Sequence, residues 1–181
     1  MKLIERKNVL LCAGFLTVLS VRLVTGIGEL SAFSILSSTL LLALGYVAMV
    51  FDIITKRIPN KLVISMIAGW LLLMVTVVIL NIENAVVLLT DSLFGFLTGG
   101  GLFLLVYVIS RKGLGGGDVK FMAAAGLYLG FAGTIPAILY GTVLAALTGL
   151  VLICLKKIGR KDTMPLVPFL FIGIMITVFT K

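Results

Sequence analysis

Two aspartates stand where an acid is expensive. Asp52 ends an apolar run in the stretch MVFDIITKRIPNKL, and Asp118 opens another after RKGLGGG, where glycine fills four of the five positions 113 to 117. A carboxylate within a membrane-spanning helix costs about 2.5–3.5 kcal/mol at its centre and less at its ends. Snorkelling into water at a membrane face would accommodate each separately. If the two meet, they cannot both ionise comfortably; they share a proton and titrate as a pair. Such a pair can hydrolyse a peptide bond. One carboxylate takes a proton from an attacking water while its protonated partner polarises the carbonyl and later helps protonate the leaving amine.

The residues that are missing narrow the chemistry further. The chain has no histidine, which removes Ser-His-Asp and Cys-His nucleophile pairs, HExxH zinc sites and histidine-ligated haem together. Cys12 and Cys154 form no CxxC pair and are expected as small buried apolar residues towards the cytoplasmic ends of their spans. No metal or other cofactor is expected. Among the other acids, Glu5, Glu29, Glu83 and Asp162 fall in tails or loops, and Asp91 is expected to be a polar residue close enough to the opposite surface to reach the interface.

These acids need apolar elements to position them. The chain has 181 residues, 61% hydrophobic and 12% charged, more apolar than one soluble core of that size requires. An all-α, polytopic membrane bundle follows. About 20 apolar residues in a helix cross the hydrocarbon core, and seven candidate spans run over roughly 8–24, 31–51, 61–80, 85–109, 119–132, 134–155 and 164–180. The fifth is short, so it is expected to be tilted, re-entrant or continuous with the glycine stretch. The first is expected to be retained, because Arg22 and the lack of an A-x-A-like site argue against a cleaved signal peptide.

Short loops rich in Lys and Arg stay in the cytoplasm. With a cytoplasmic N-terminus, Lys2, Arg6, Lys7, Lys56, Arg57, Lys61, Arg111, Lys112, Lys120, Lys156, Lys157, Arg160 and Lys161 lie inside, and only Arg22 and Lys181 lie outside. Asp52 and Asp118 then share the cytoplasmic face. The net charge of +8 is accounted for by contact with anionic lipid, and nucleic-acid binding is not expected without a soluble basic domain. Gly95-x3-Gly99, Gly126-x3-Gly130 and Ala145-x3-Gly149 are spacings that let helices approach closely. The chain reads as one integral-membrane domain over 1–181, an extra span at about 8–24 preceding a core at about 31–180. Its oligomeric state is not legible.

The glycines Gly113, Gly115, Gly116 and Gly117 have two readings: a flexible linker, or a bare backbone that wraps an extended substrate and places Asp118 opposite Asp52. Pro59 is expected to end the helical conformation after Asp52, and Asn60 to cap the next helix. Lys120 is expected to contact headgroups and position the site.

Asp52 followed by Ile58-Pro59-Asn60, then Gly115-Gly116-Gly117-Asp118-Val119-Lys120, resembles the D-x5-[IL]-P-[ND] and GxGDxK motifs of type IV prepilin peptidases, a GxGD class of intramembrane aspartic proteases. The segment Pro165-Leu166-Val167-Pro168-Phe169-Leu170 is similar to that family's proline-containing stretch before its last span, with Val167 where glycine is common. The resemblance covers roughly residues 35 to 180. It implies removal, on the cytoplasmic side of a bacterial or archaeal membrane, of the short basic leader of type IV prepilins or pseudopilins, with Asp52 and Asp118 as the catalytic pair. Many members also methylate the new N-terminus through a cytoplasmic insert that often carries two CxxC pairs. Here about six residues, 25 to 30, separate the first two spans, so this chain resembles the short, peptidase-only form.

Three other readings compete. An ion-coupled transporter predicts midplane acids and inverted repeats, neither of which is visible. A catalytically silent assembly component of a pilus or secretion system would not need both aspartates. A presenilin-like protease would carry Tyr-Asp and Pro-Ala-Leu motifs, where this chain has Phe51-Asp52 and no Pro-Ala-Leu.

Overall fold

The computed structural model describes residues 32–80, 82–110, 114–156 and 164–180. The expected first span at 8–24, Cys12, Glu5, Glu29, Gly113, Asp162 and the cations at 2, 6, 7, 22, 111, 112, 157, 160, 161 and 181 lie outside the described residues. Those described form five helices: α1 (Ala32–Thr55), α2 (Asn60–Leu80), α3 (Ile82–Ile109), α4 (Gly116–Cys154) and α5 (Val167–Thr180). The first four are long and apolar enough to cross a membrane, while α5 has 14 residues. The protein is an integral membrane helical bundle.

Helix α4 is two segments rather than one rod. At Gly130 the backbone turns to φ 67°, ψ −178°, a conformation that glycine adopts without steric penalty. In a continuous helix Met122 and Thr134 would lie about 18 Å apart. Yet a Cβ placed on Gly99 would stand 2.4 Å from the Met122 carbonyl oxygen and 3.3 Å from Thr134 Cγ2. The chain therefore reverses at Gly130, and the expected spans at 119–132 and 134–155 are the two arms of a hairpin. The first arm is continuous with the glycine stretch and spans only about 21 Å. Its inner face is buried throughout, from Phe121 to Leu129.

Helix α3 closes against this hairpin through glycine. A Cβ on Gly95 would meet the Gly126 carbonyl oxygen at 2.2 Å, and one on Gly126 would meet the Gly95 carbonyl oxygen at the same distance. Two of the small-x3-small spacings thus pack on each other, backbone to backbone. The third does not: Gly149 has only Met164 Sδ nearby, at 3.8 Å.

Helices α1 and α5 cover the other side of the hairpin. The core between them holds Leu41, Leu42, Phe121, Leu170, Phe171 and Ile174, and Tyr46 meets Phe171 edge to face with ring centroids 6.2 Å apart. Gly45 and Gly173 allow this closeness, since a Cβ would reach Phe171 at 3.0 Å in one case and the Ala137 carbonyl oxygen at 2.3 Å in the other. Helix α2 is tied to α4 by the Tyr128 hydroxyl, which donates to the Met66 carbonyl.

Cys154 is exposed, against the expectation that it is buried. It is the last residue of α4, and among the described residues the shorter α5 does not extend over it.

Candidate active site

The helix ends at one end of the bundle converge. Helix α1 stops just after Asp52, and Lys56, in the left-handed region at φ 50°, turns the chain out of the helix. Its amide hydrogen still reaches the Asp52 carbonyl at 2.9 Å. Pro59 then restarts the chain, its carbonyl accepting from the amides of Leu62 and Val63 at the head of α2. Asn60 was expected to cap that helix. Instead Pro59 holds the N-cap position and Asn60 is the first residue of the helix, and its Oδ1 accepts from Lys120 Nζ at 3.0 Å.

The glycines are not a loose loop. Gly115 is the N-cap of α4, in extended backbone at φ −72°, ψ 134°, and Gly116 and Gly117 form the helix's first turn. Asp118 is the third helical residue. Its amide donates to the Gly115 carbonyl at 3.1 Å, and the Gly115 amide donates back to Asp118 Oδ2 at 3.2 Å. This reciprocal pair satisfies two groups at an otherwise unfinished helix end.

Each glycine of the motif has its own surroundings. A Cβ on Gly115 would sit 2.8 Å from Asp118 Oδ2, and one on Gly117 would press on Ile58 at 3.2 to 3.4 Å. Gly116 has open space. The first two therefore hold Asp118 and seat α4 on the connection that follows Asp52. Of the described motif glycines, only Gly116 faces space in which a substrate backbone could lie.

Asp52 is 5% exposed and Asp118 9%. Both line one cavity of about 250 Å³, together with Lys56, Arg57, Ile58, Asn60, Lys120 and the three glycines 115 to 117. The carboxylates are near enough for the charge of one to act on the other. Asp52 Oδ2 accepts the Val167 amide hydrogen at 3.1 Å. The proline segment at 165–168 thus reaches the site through its backbone; Pro165 precedes α5, Pro168 is its second residue, and neither lines the cavity. Among the described residues no group of three acids or cysteines is placed to hold a metal ion.

In the sequence Lys56 and Arg57 bear only on orientation. Their position directly after the Asp52 helix was the signal that they would rim the same cavity, giving it three cations with Lys120. Asp91 lies elsewhere, against Gly130 at the hairpin turn, in a larger cavity of about 530 Å³ that contains neither Asp52 nor Asp118.

The model of the Type IV leader peptidase family matches residues 35–150, a stretch that contains Asp52, Ile58-Pro59-Asn60 and Gly115 to Lys120. The chain is 31% identical over 135 residues to the prepilin leader peptidase/N-methyltransferase of Escherichia coli (strain K12), covering 70% of this chain and 55% of that protein. It is 27% identical over 169 residues to the protein of the same name from Aeromonas salmonicida (strain A449), covering 91% and 54%. For that of Pectobacterium carotovorum subsp. carotovorum the identity is 31% over 145 residues, covering 77% and 48%. The chain spans about half the length of these curated relatives. No solved structure matches it.

Proposed function

Because the chain belongs to the type IV leader peptidase family, we propose that it is an intramembrane aspartic endopeptidase that removes the short basic leader from type IV prepilins or pseudopilins. The observation that carries this reading is the shared cavity of Asp52 and Asp118, two carboxylates from helices 66 positions apart in the sequence, each held by a backbone amide.

In this mechanism a water lies between the two carboxylates. One accepts its proton as the oxygen attacks the scissile carbonyl; the other, protonated, donates to the carbonyl oxygen. Collapse of the tetrahedral gem-diol breaks the C–N bond: the carboxyl group that took the water's proton passes it to the leaving amine, and a gem-diol hydroxyl returns its proton to the other carboxylate. The protein needs no covalent intermediate for this, and both carboxylates return to their starting state. The cavity admits an extended peptide from the membrane face, where Gly116 offers no side chain to obstruct it.

The active site faces the cytoplasm in this reading. Lys56, Arg57, Lys61 and Lys120 lie on the residues that surround the aspartates or next to them, and cationic loops stay on that side. Prepilin-like substrates and membrane lipid are the partners; nucleic acid is not. The relatives' names pair peptidase with N-methyltransferase; the cavity shared by Asp52 and Asp118 supports the peptidase part of that name. Family membership without catalysis, as an assembly component, is the second reading, and the retention of both aspartates argues against it.

Co-expression with a prepilin-like substrate tests this, comparing wild type with Asp52→Asn and Asp118→Asn, which remove each acid with little change in size. Leader removal by wild type and its loss in both folded variants is the expected result. Cleavage by either variant at the wild-type rate overturns the dyad.

A further inference from the structure

We infer that the Val167 backbone N–H is a positioning group for leader cleavage: it fixes the Asp52 carboxylate and so makes the amino end of α5 part of the catalytic assembly. This rests on the aspartic-peptidase reading above.

The first amides of a helix have no partner within it. In α5, Pro168 has no amide hydrogen, and the Phe169 and Leu170 amides donate to the Leu166 carbonyl at 3.1 and 3.2 Å. The Val167 amide is left needing an acceptor, and it sits in a fully buried residue. Asp52 Oδ2 supplies one, from 115 positions earlier in the chain; the Leu166 amide also lies within reach of that carboxylate.

For Asp52 the consequence is orientation. The terminal torsion of an aspartate is broad and roughly two-fold, so a carboxylate at a helix end turns freely unless something holds an oxygen. A charge-assisted bond at a helix N-terminus is strong and directional. Asp118 is held within its own helix by Gly115, whereas Asp52 is held from another helix. The other charged groups at the cavity are Asp118 and Lys120 on α4 and Lys56 and Arg57 after α1.

The test deletes the N–H while sparing the fold. Val167→Pro does this at the first helical position, where proline is tolerated; Val167→Ala keeps the N–H but removes buried methyl groups. In detergent or nanodiscs, with a prepilin-like substrate, Val167→Pro is expected to lose about tenfold or more in kcat with KM nearly unchanged. Val167→Ala is expected to lower the unfolding temperature while keeping kcat within about threefold of wild type. Should proline disturb the fold, α-hydroxyisovaleric acid at position 167 replaces the amide by an ester and removes the same hydrogen.

Wild-type kcat in the proline or ester variant, with Asp52→Asn inactive on the same substrate, overturns this inference and leaves the peptidase reading intact. An active Asp52→Asn overturns that reading instead. A thermal-unfolding cycle of Asp52→Ala and Val167→Pro needs no turnover: the double variant is expected to lose less than the two singles together, and strict additivity overturns the inference.

Discussion

Asp91 Oδ1 accepts the Phe131 amide hydrogen at 3.0 Å, joining α3 to the second arm of α4 immediately after the chain reverses at Gly130. From its place in the sequence Asp91 has no task beyond reaching the interface. Folded, it is the cap for a helix that begins within a membrane protein, where an unpaired amide is costly.

Asp91→Ala is therefore expected to destabilise the fold by about 1–2 kcal/mol, with Asp91→Asn losing less because its amide oxygen can still accept. Thermal unfolding in detergent measures this. Leader cleavage per folded molecule is expected to stay unchanged, since Asp91 lies in a different cavity from the aspartate pair.

Alanine at Gly95 or Gly126 forces α3 from α4, because each Cβ would fall 2.2 Å from the opposing carbonyl oxygen. Both variants are expected to fold poorly, read as low yield of monodisperse protein. Gly101, with nothing within 4 Å, is the control: alanine there is expected to stabilise α3 by up to about 1 kcal/mol through helix propensity.

Within the GLGGGD stretch, the glycines are expected to separate by role. Gly115→Ala sets a methyl group 2.8 Å from Asp118 Oδ2 and should displace the carboxylate, lowering kcat by about tenfold or more at near-normal stability. Gly116→Ala meets no protein atom within 4 Å. A loss confined to KM in that variant would mark the face along which substrate passes.

Lys120 and Asn60 hold the starts of α4 and α2 together through one hydrogen bond. Both residues are exposed, so the stability coupling in a Lys120→Ala, Asn60→Ala cycle is expected to be below about 1 kcal/mol. If the pair acts by positioning, the two single variants lose similar cleavage activity and the double loses no more than either.

The class of structure was legible because hydrophobic run length answers directly to bilayer thickness. The seven expected spans include six whose segments fall on described helices, and the short fifth shows as a helical arm of 14 residues, from Gly116 to Leu129. The two aspartates could be singled out because histidine is absent and because an acid at an apolar boundary is costly. Counting cations along the chain leads to the expectation of a common face for the two, and the shared cavity brings them together.

What the sequence by itself determined, then, was composition, periodicity and local motif order: an all-α membrane protein with one candidate acid pair. Tertiary structure decided which partner each polar group found. Asn60 took Lys120 instead of capping its own helix, Asp91 took the Phe131 amide across the hairpin turn, and Asp52 took the Val167 amide. The reason is physical. A hydrogen bond is set by distances of a few tenths of an ångström between groups that lie 40 to 115 positions apart, and those distances exist only once glycine contacts, helix ends and the turn at Gly130 have fixed the backbones against one another.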